Sequence, residues 1–219
     1  MYLSRIALNT ESRNTLLALG SPHILHAAVE GGSKGHNQRN LWRVDWLGGI
    51  CYLLVLSPNK PDFSRLFEQC GYPGSEPRWE TRDYEPLLSK LKQGQVWQFR
   101  LKANPTRSGS KEWDESGRGK VFSHVTEEQQ KQWLLRRSET CGFALKPEDF
   151  QVVGTKWDEF LKSNSSEGKV TLRTVVFEGV LTVRNLEHFK HALVSGIGRA
   201  KAYGCGLLTI AHYRGDSSG

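Results

Sequence analysis

No Cys-x-x-Cys pair occurs in this chain: Cys51, Cys70, Cys141 and Cys205 lie far apart. That spacing signals neither a zinc site nor a disulfide framework and suits a reducing compartment. Long apolar runs are also missing, and the longest, Ile50 to Leu56, is far too short to span a bilayer. The first eight residues read as a strand and not as a signal peptide. A cytoplasmic chain with no membrane partner is therefore expected. Acidic residues are in deficit, with 23 Asp+Glu against 30 Lys+Arg and a formal net charge of +7. Such a balance favours a polyanionic partner. No carboxylate cluster suggests a metal site, and no Gly-Lys-Ser/Thr closes a nucleotide P-loop, so no cofactor is expected.

What is present is concentrated near the end of the chain, in Gly196-Ile-Gly-Arg-Ala-Lys-Ala-Tyr-Gly-Cys-Gly-Leu-Leu208. Gly196, Gly198, Gly204 and Gly206 surround the cations Arg199 and Lys201. Glycine lets bare backbone N–H groups approach a phosphate, because no side chain holds the ligand away. A dinucleotide-binding Gly-x-Gly follows a strand and opens a helix. Here the order is reversed: Asn185 to Ser195 reads as an amphipathic helix with Asn185 as N-cap, and Leu207 to Tyr213 reads as a strand. A helix C-cap and tight turn would account for one or two glycines. Four glycines interleaved with two cations exceed that need.

At 219 residues the chain has room for one large domain or two small ones. The pattern predicts a strand over Tyr2 to Leu8 and helices over Thr10 to Leu19 and Pro22 to Glu30, the second capped by Ser21. After the polar loop Gly31 to Asn40 come strands Leu41 to Trp46 and Cys51 to Leu56, joined across Gly48-Gly49. A helix over Asp62 to Cys70 and a strand over Arg78 to Tyr84 complete a β-α-β-β-α-β order, the ferredoxin-like arrangement. The second half repeats it: a strand from Gln95 to Lys102, a long polar loop from Asn104 to Gly119, and a capping box at Thr126-Glu-Glu-Gln129 opening a helix to Thr140. A hairpin of Val152 to Lys162 with Lys169 to Val183 precedes the last helix, loop and strand. The expected fold is α+β, two tandem ferredoxin-like (RRM-like) domains at residues 1–90 and 95–219.

This combination resembles the CRISPR repeat-processing endoribonucleases, specifically the CasE-type subunit of the type I-E Cascade complex. The resemblance covers nearly the whole chain and rests on the glycine-rich segment, Phe99-Arg-Leu-Lys-Ala-Asn-Pro-Thr106, Leu41-Trp-Arg-Val-Asp45 and a histidine on an early helix. It implies metal-independent cleavage of a CRISPR repeat RNA at the base of its hairpin, retention of the product, and partnership with other Cascade subunits. The free protein is expected to be a monomer. A non-catalytic hairpin-binding subunit with the same fold is the alternative.

On the helix from Pro22, His23 and His26 lie away from the centre of the apolar face formed by Ile24, Leu25, Ala28 and Val29. Imidazole, with an ordinary pKa of about 6.5, can both take and give a proton near neutrality. RNA carries its own nucleophile, the 2′-hydroxyl, so cleavage without metal needs a base, an acid and cations for the developing phosphorane charge. The resemblance assigns His26 as the catalytic histidine, and it places His23 where relatives often carry tyrosine. A two-histidine metal pair lacks an identifiable third ligand. Expected RNA contacts are Lys34 and Arg39 in the following loop, a basic hairpin of Lys156, Lys162, Lys169 and Arg173, and the glycine loop itself. Trp42, Trp46, Trp97, Trp133 and Trp157 are all read as core. A folded hairpin recognised by shape and phosphates is thus the expected ligand.

Overall fold

The computed structural model describes residues 1–33, 39–74, 79–113, 119–161 and 169–213. In the first half, β1 (Tyr2–Leu8) leads to helices α1 (Arg13–Gly20) and α2 (Pro22–Gly32), then to β2 (Leu41–Leu47) and β3 (Ile50–Ser57). Helix α3 (Ser64–Cys70) and β4 (Glu80–Asp83) follow, and the four strands form an antiparallel sheet in the order β2-β3-β1-β4. Strand β3 shows why its sequence is almost continuously apolar. Leu53 and Val55 face Leu25, Val29 and Phe67 in one core, while Leu54 and Leu56 pack into the other. Both faces of the strand are covered, so alternation with polar residues is lost.

Helix α4 (Glu85–Lys90) connects to the second half: β5 (Val96–Ala103), β6 (Thr106–Trp113), β7 (Gly119–Ser123), α5 (Glu127–Thr140) and β8 (Phe143–Ala144). There follow β9 (Phe150–Leu161), β10 (Lys169–Val183), α6 (Leu186–Ser195), a 3-10 turn at Lys201–Tyr203 and β11 (Leu208–His212). The main sheet runs β11-β5-β10-β8, with β9 also paired to β10. The capping box at Thr126 and Gln129 forms as expected, and Asn185 caps α6 by accepting from the His188 N–H. The two halves share one core, in which Leu41, Leu56 and Leu88 join Phe99, Phe177 and Leu208.

Two expectations are corrected, and two features go beyond the sequence reading. The stretch read as a long polar loop contains the hairpin β6–β7. Its two strands form a separate ribbon, where Val121 is largely exposed, so no apolar face marks it in the sequence. Helix α4, only six residues long, was unanticipated. Ser21 occupies the N-cap position of α2, but its hydroxyl bonds the His23 ring instead of the helix backbone. Finally, Trp42, Trp97 and Trp133 are core residues, whereas Trp46 and Trp157 are 59% and 49% exposed.

A buried charge network ties the halves together. Arg43, on β2, is 1% exposed and donates through Nε and Nη2 to the Asp45 carboxylate at 2.6–2.9 Å. Its Nη1 donates to the carbonyls of Arg100 (2.9 Å) and Leu207 (2.7 Å), and Nη2 also reaches Thr209 Oγ1 (2.8 Å). Arg100, on β5, bonds Asp45 at 3.1 Å and pairs with Glu178 on β10. Burial pulls the Arg43 guanidinium below its ordinary pKa, and the Asp45 charge opposes that shift. A cleft of about 670 Å³ opens beside this network, and no residue expected to touch RNA lines it.

Candidate functional site

The glycine loop begins where α6 ends. Gly196, at φ 74°, donates its N–H to the Ala192 carbonyl. The chain then turns through Ala200, the one non-glycine residue with positive φ among those described, into the short 3-10 turn. Strand β2 presses against this loop. A Cβ on Gly196 would come within 2.8 Å of the Leu41 side chain, and one on Gly204, at φ 76°, within 2.8 Å of Trp42. These two glycines therefore serve close packing between the halves as well as backbone conformation.

Their amides are also engaged inside the protein. Gly204 donates to Lys201 O, Gly206 to Lys102 O, and Ile197 to Gly206 O. The expectation of bare glycine amides is thus corrected for Gly196, Gly204 and Gly206. Gly198 lies in the central stretch with Arg199, whose side chain is exposed. Lys201 is half-buried and donates from Nζ to Ser195 O at 2.6 Å. Burial lowers the Lys201 pKa, and repulsion from the nearby Arg39 guanidinium lowers it further. Arg39 and Lys201, distant in sequence, are therefore electrostatic neighbours.

Helix α2 packs against the turn Lys201–Tyr203. Leu25 and Val29 anchor its inner face in the core, while Ile24, assigned to that face by spacing, is 41% exposed. The His26 side chain is partly exposed and lies beside Glu30, with Nδ1 3.9 Å from Oε1. Nδ1 itself is shielded from solvent and has no hydrogen-bond partner among the described residues. Nε2 is then the nitrogen that can exchange a proton with a ligand. Glu30 was not singled out by sequence, although its i,i+4 spacing from His26 was the available signal; it would pair with a protonated imidazole. His23 is held by Ser21, Oγ to Nδ1 2.9 Å. The geometry can supply a proton-transfer group on α2 and positive charge from Lys201 and Arg39 on adjoining segments.

The second basic region is assembled differently from its sequence reading. Lys34 and Lys162 lie outside the described residues. Lys169 opens β10 opposite Leu161. Lys156 is exposed but paired with Asp158, Nζ to Oδ1 2.8 Å. It registers with Thr174, while Arg173 registers with Trp157, so Lys156 and Arg173 stand on opposite faces of the sheet. Arg173 is partly buried, stacks over the Trp157 ring at 5.0 Å and donates to Val125 O at 2.8 Å. Sequence reasoning also missed Arg107, whose guanidinium lies over Phe122 in the β6–β7 ribbon. Buried His124, at the foot of that ribbon, has its pKa lowered by burial and then by Arg136 and Arg107.

Among the described residues no cluster of three His, Cys, Asp or Glu side chains could hold a metal ion. Nor is any described helix long and apolar enough to cross a membrane.

Residues 1–212 match a family described as CRISPR associated protein. The CRISPR-associated endoribonuclease Cse3 of Thermus thermophilus is 33% identical over 224 residues, covering 96% of this chain and 100% of that protein. The CRISPR system Cascade subunit CasE of Escherichia coli is 33% identical over 178 residues, covering 71% of this chain and 86% of that protein. Thermus thermophilus Cse3, solved bound to an RNA representing a pre-cleavage complex, superposes with a TM-score of 0.76 at 27% identity, over 96% of this chain and 98% of that one.

Proposed function

Because the chain belongs to the CRISPR-associated protein family, we propose that it is an endoribonuclease that cleaves a CRISPR repeat RNA hairpin and stays bound to the product. Its partners on this reading are the repeat hairpin and the other subunits of Cascade. The observation that carries the proposal is the packing of α2, with His26, onto the Lys201–Tyr203 turn of the glycine loop.

In the proposed reaction the 2′-hydroxyl loses its proton and attacks the adjacent phosphorus. The P–O5′ bond breaks, leaving a 2′,3′-cyclic phosphate and a 5′-hydroxyl. His26 exchanges the proton through Nε2, and Glu30 steadies the charged ring. Lys201 and Arg39 offset the phosphorane charge. A cation already partly desolvated acts more strongly on that charge than one in bulk water. His23, tied to Ser21, contacts the phosphate or donates a proton. The architecture that presents these groups is two ferredoxin-like units over 1–90 and 95–219, and the sheet orders β2-β3-β1-β4 and β11-β5-β10-β9 support it.

The test is incubation of the pure protein with its own repeat RNA in EDTA. Cleavage at one site with a cyclic phosphate end supports the proposal. Tight binding of RNA that stays intact would instead identify a hairpin-holding subunit without chemistry.

A further inference from the structure

Trp157 has no core role: it is 49% exposed on β9, which among the described strands pairs with β10 alone. Its directly opposed neighbour on β10 is Arg173, whose guanidinium carbon lies 5.0 Å from the ring centroid. The pair is held in place from several sides. Arg173 donates Nη2 to Val125 O (2.8 Å), and Asn104 Nδ2 donates to the Arg173 carbonyl (2.8 Å). Arg173 Nε is shielded and has no hydrogen-bond partner among the described residues, so stacking on the ring is what that part of the guanidinium does. One face of the indole is thus covered by a fixed cation. About half of the residue remains open to solvent.

We propose that Trp157, backed by Arg173, is a stacking platform for an unpaired nucleobase next to the stem of the bound RNA hairpin. The inference rests on the RNA-binding reading above and adds to it a site that reads no phosphate. Every base offers a π-face, and base–aromatic stacking tolerates any sequence. Bases within an A-form stem already stack on one another, so only a terminal or unpaired base has a face to offer. Charge favours RNA over a protein partner here. Arg107 and Arg136 both act on His124, next to Val125, and Arg173 lies on the ring itself.

The experiment measures equilibrium binding of the full chain to repeat RNA made uncleavable by a 2′-deoxy sugar at the scissile nucleotide. A companion set of RNAs carries a single abasic site at each unpaired position beside the stem. Trp157→Ala and Trp157→Leu should each weaken binding about tenfold, and Trp157→Phe by no more than about threefold. One abasic RNA should weaken wild-type binding by a similar factor while leaving the Trp157→Ala affinity unchanged, so that the two losses do not add. Wild-type affinity for all RNAs in the Trp157→Ala variant would overturn the platform. So would a uniform loss that leaves every abasic effect intact, which would mark Trp157 as structural or as part of a protein interface. Failure of the wild-type protein to bind the intact hairpin would overturn the RNA reading itself and is distinguishable from either.

Discussion

Removing the Asp45 carboxylate should be among the most damaging single changes on β2. Four hydrogen bonds from Arg43 and Arg100 end on its two oxygens, and its side chain is 2% exposed. Asp45→Ala leaves the Arg43 guanidinium buried, with only carbonyls and one hydroxyl to answer it. Breaking a buried pair in this way costs about 3–5 kcal/mol. In a chain of this size each kcal/mol lowers the melting temperature by roughly 2–4 °C, so a drop of about 6–20 °C is expected in differential scanning calorimetry. The damage should also reach the site, because Arg43 holds Leu207 O beside Gly206, and Gly206 in turn accepts from Ile197. Replacing Arg43 and Asp45 together by apolar residues should recover only part of the loss, since the Leu207 carbonyl then loses its Arg43 donor and the Arg100 carbonyl keeps only the longer bond from Thr209 among its side-chain donors. Glu80→Ala is the control: it removes an equally short but exposed pair with Arg5 and should leave the melting temperature nearly unchanged. A melting temperature for Asp45→Ala within about 2 °C of wild type would refute the claim that this network secures the two halves.

His26→Ala should abolish cleavage in single-turnover assays while hairpin affinity stays nearly intact; His23→Ala should lose about 10² or less, and a larger loss than at His26 would reverse their roles. Gly204→Ala, forced to φ 76° with its Cβ against Trp42, should lower both stability and cleavage rate, and unchanged values would show that β2 and the loop yield freely. Hairpin affinity should fall steeply as salt rises from about 50 to 200 mM; a flat titration would contradict a phosphate-dominated interface. At alkaline pH stability should decline, because burial pushes the Cys205 thiol and the Tyr84 phenol each up to about 12 from ordinary values of 9.0 and 10.0. Both raised groups keep their protons in the native state after the unfolded chain has lost them. Their contribution is full below pH 9 and is lost as pH rises toward 12. Urea midpoints measured across that window should fall, and less so in Cys205→Ala.

Much of this protein could be read from its sequence because local chemistry decides it. Thr126 and Gln129 cap α5 through neighbouring backbone groups, Asn185 caps α6, and the strands β1 to β3 follow from apolar pattern and a glycine turn. Such features depend on residues within a few positions of one another. The β6–β7 ribbon escaped because its polar, glycine-rich sequence shows no apolar alternation, the signal by which a strand is read.

The composition and order of the chain also determined its basic character, the helix-before-loop order that argues against a dinucleotide site, and the presence of histidines on a short early helix. Only the tertiary structure decided what those parts do together. It packed α2 onto the turn after α6, put Arg39 beside Lys201, separated Lys156 from Arg173, and left Trp157 outside the core. The reason is physical: these relations depend on strand register or on the packing of segments distant in sequence, and no local propensity carries that information.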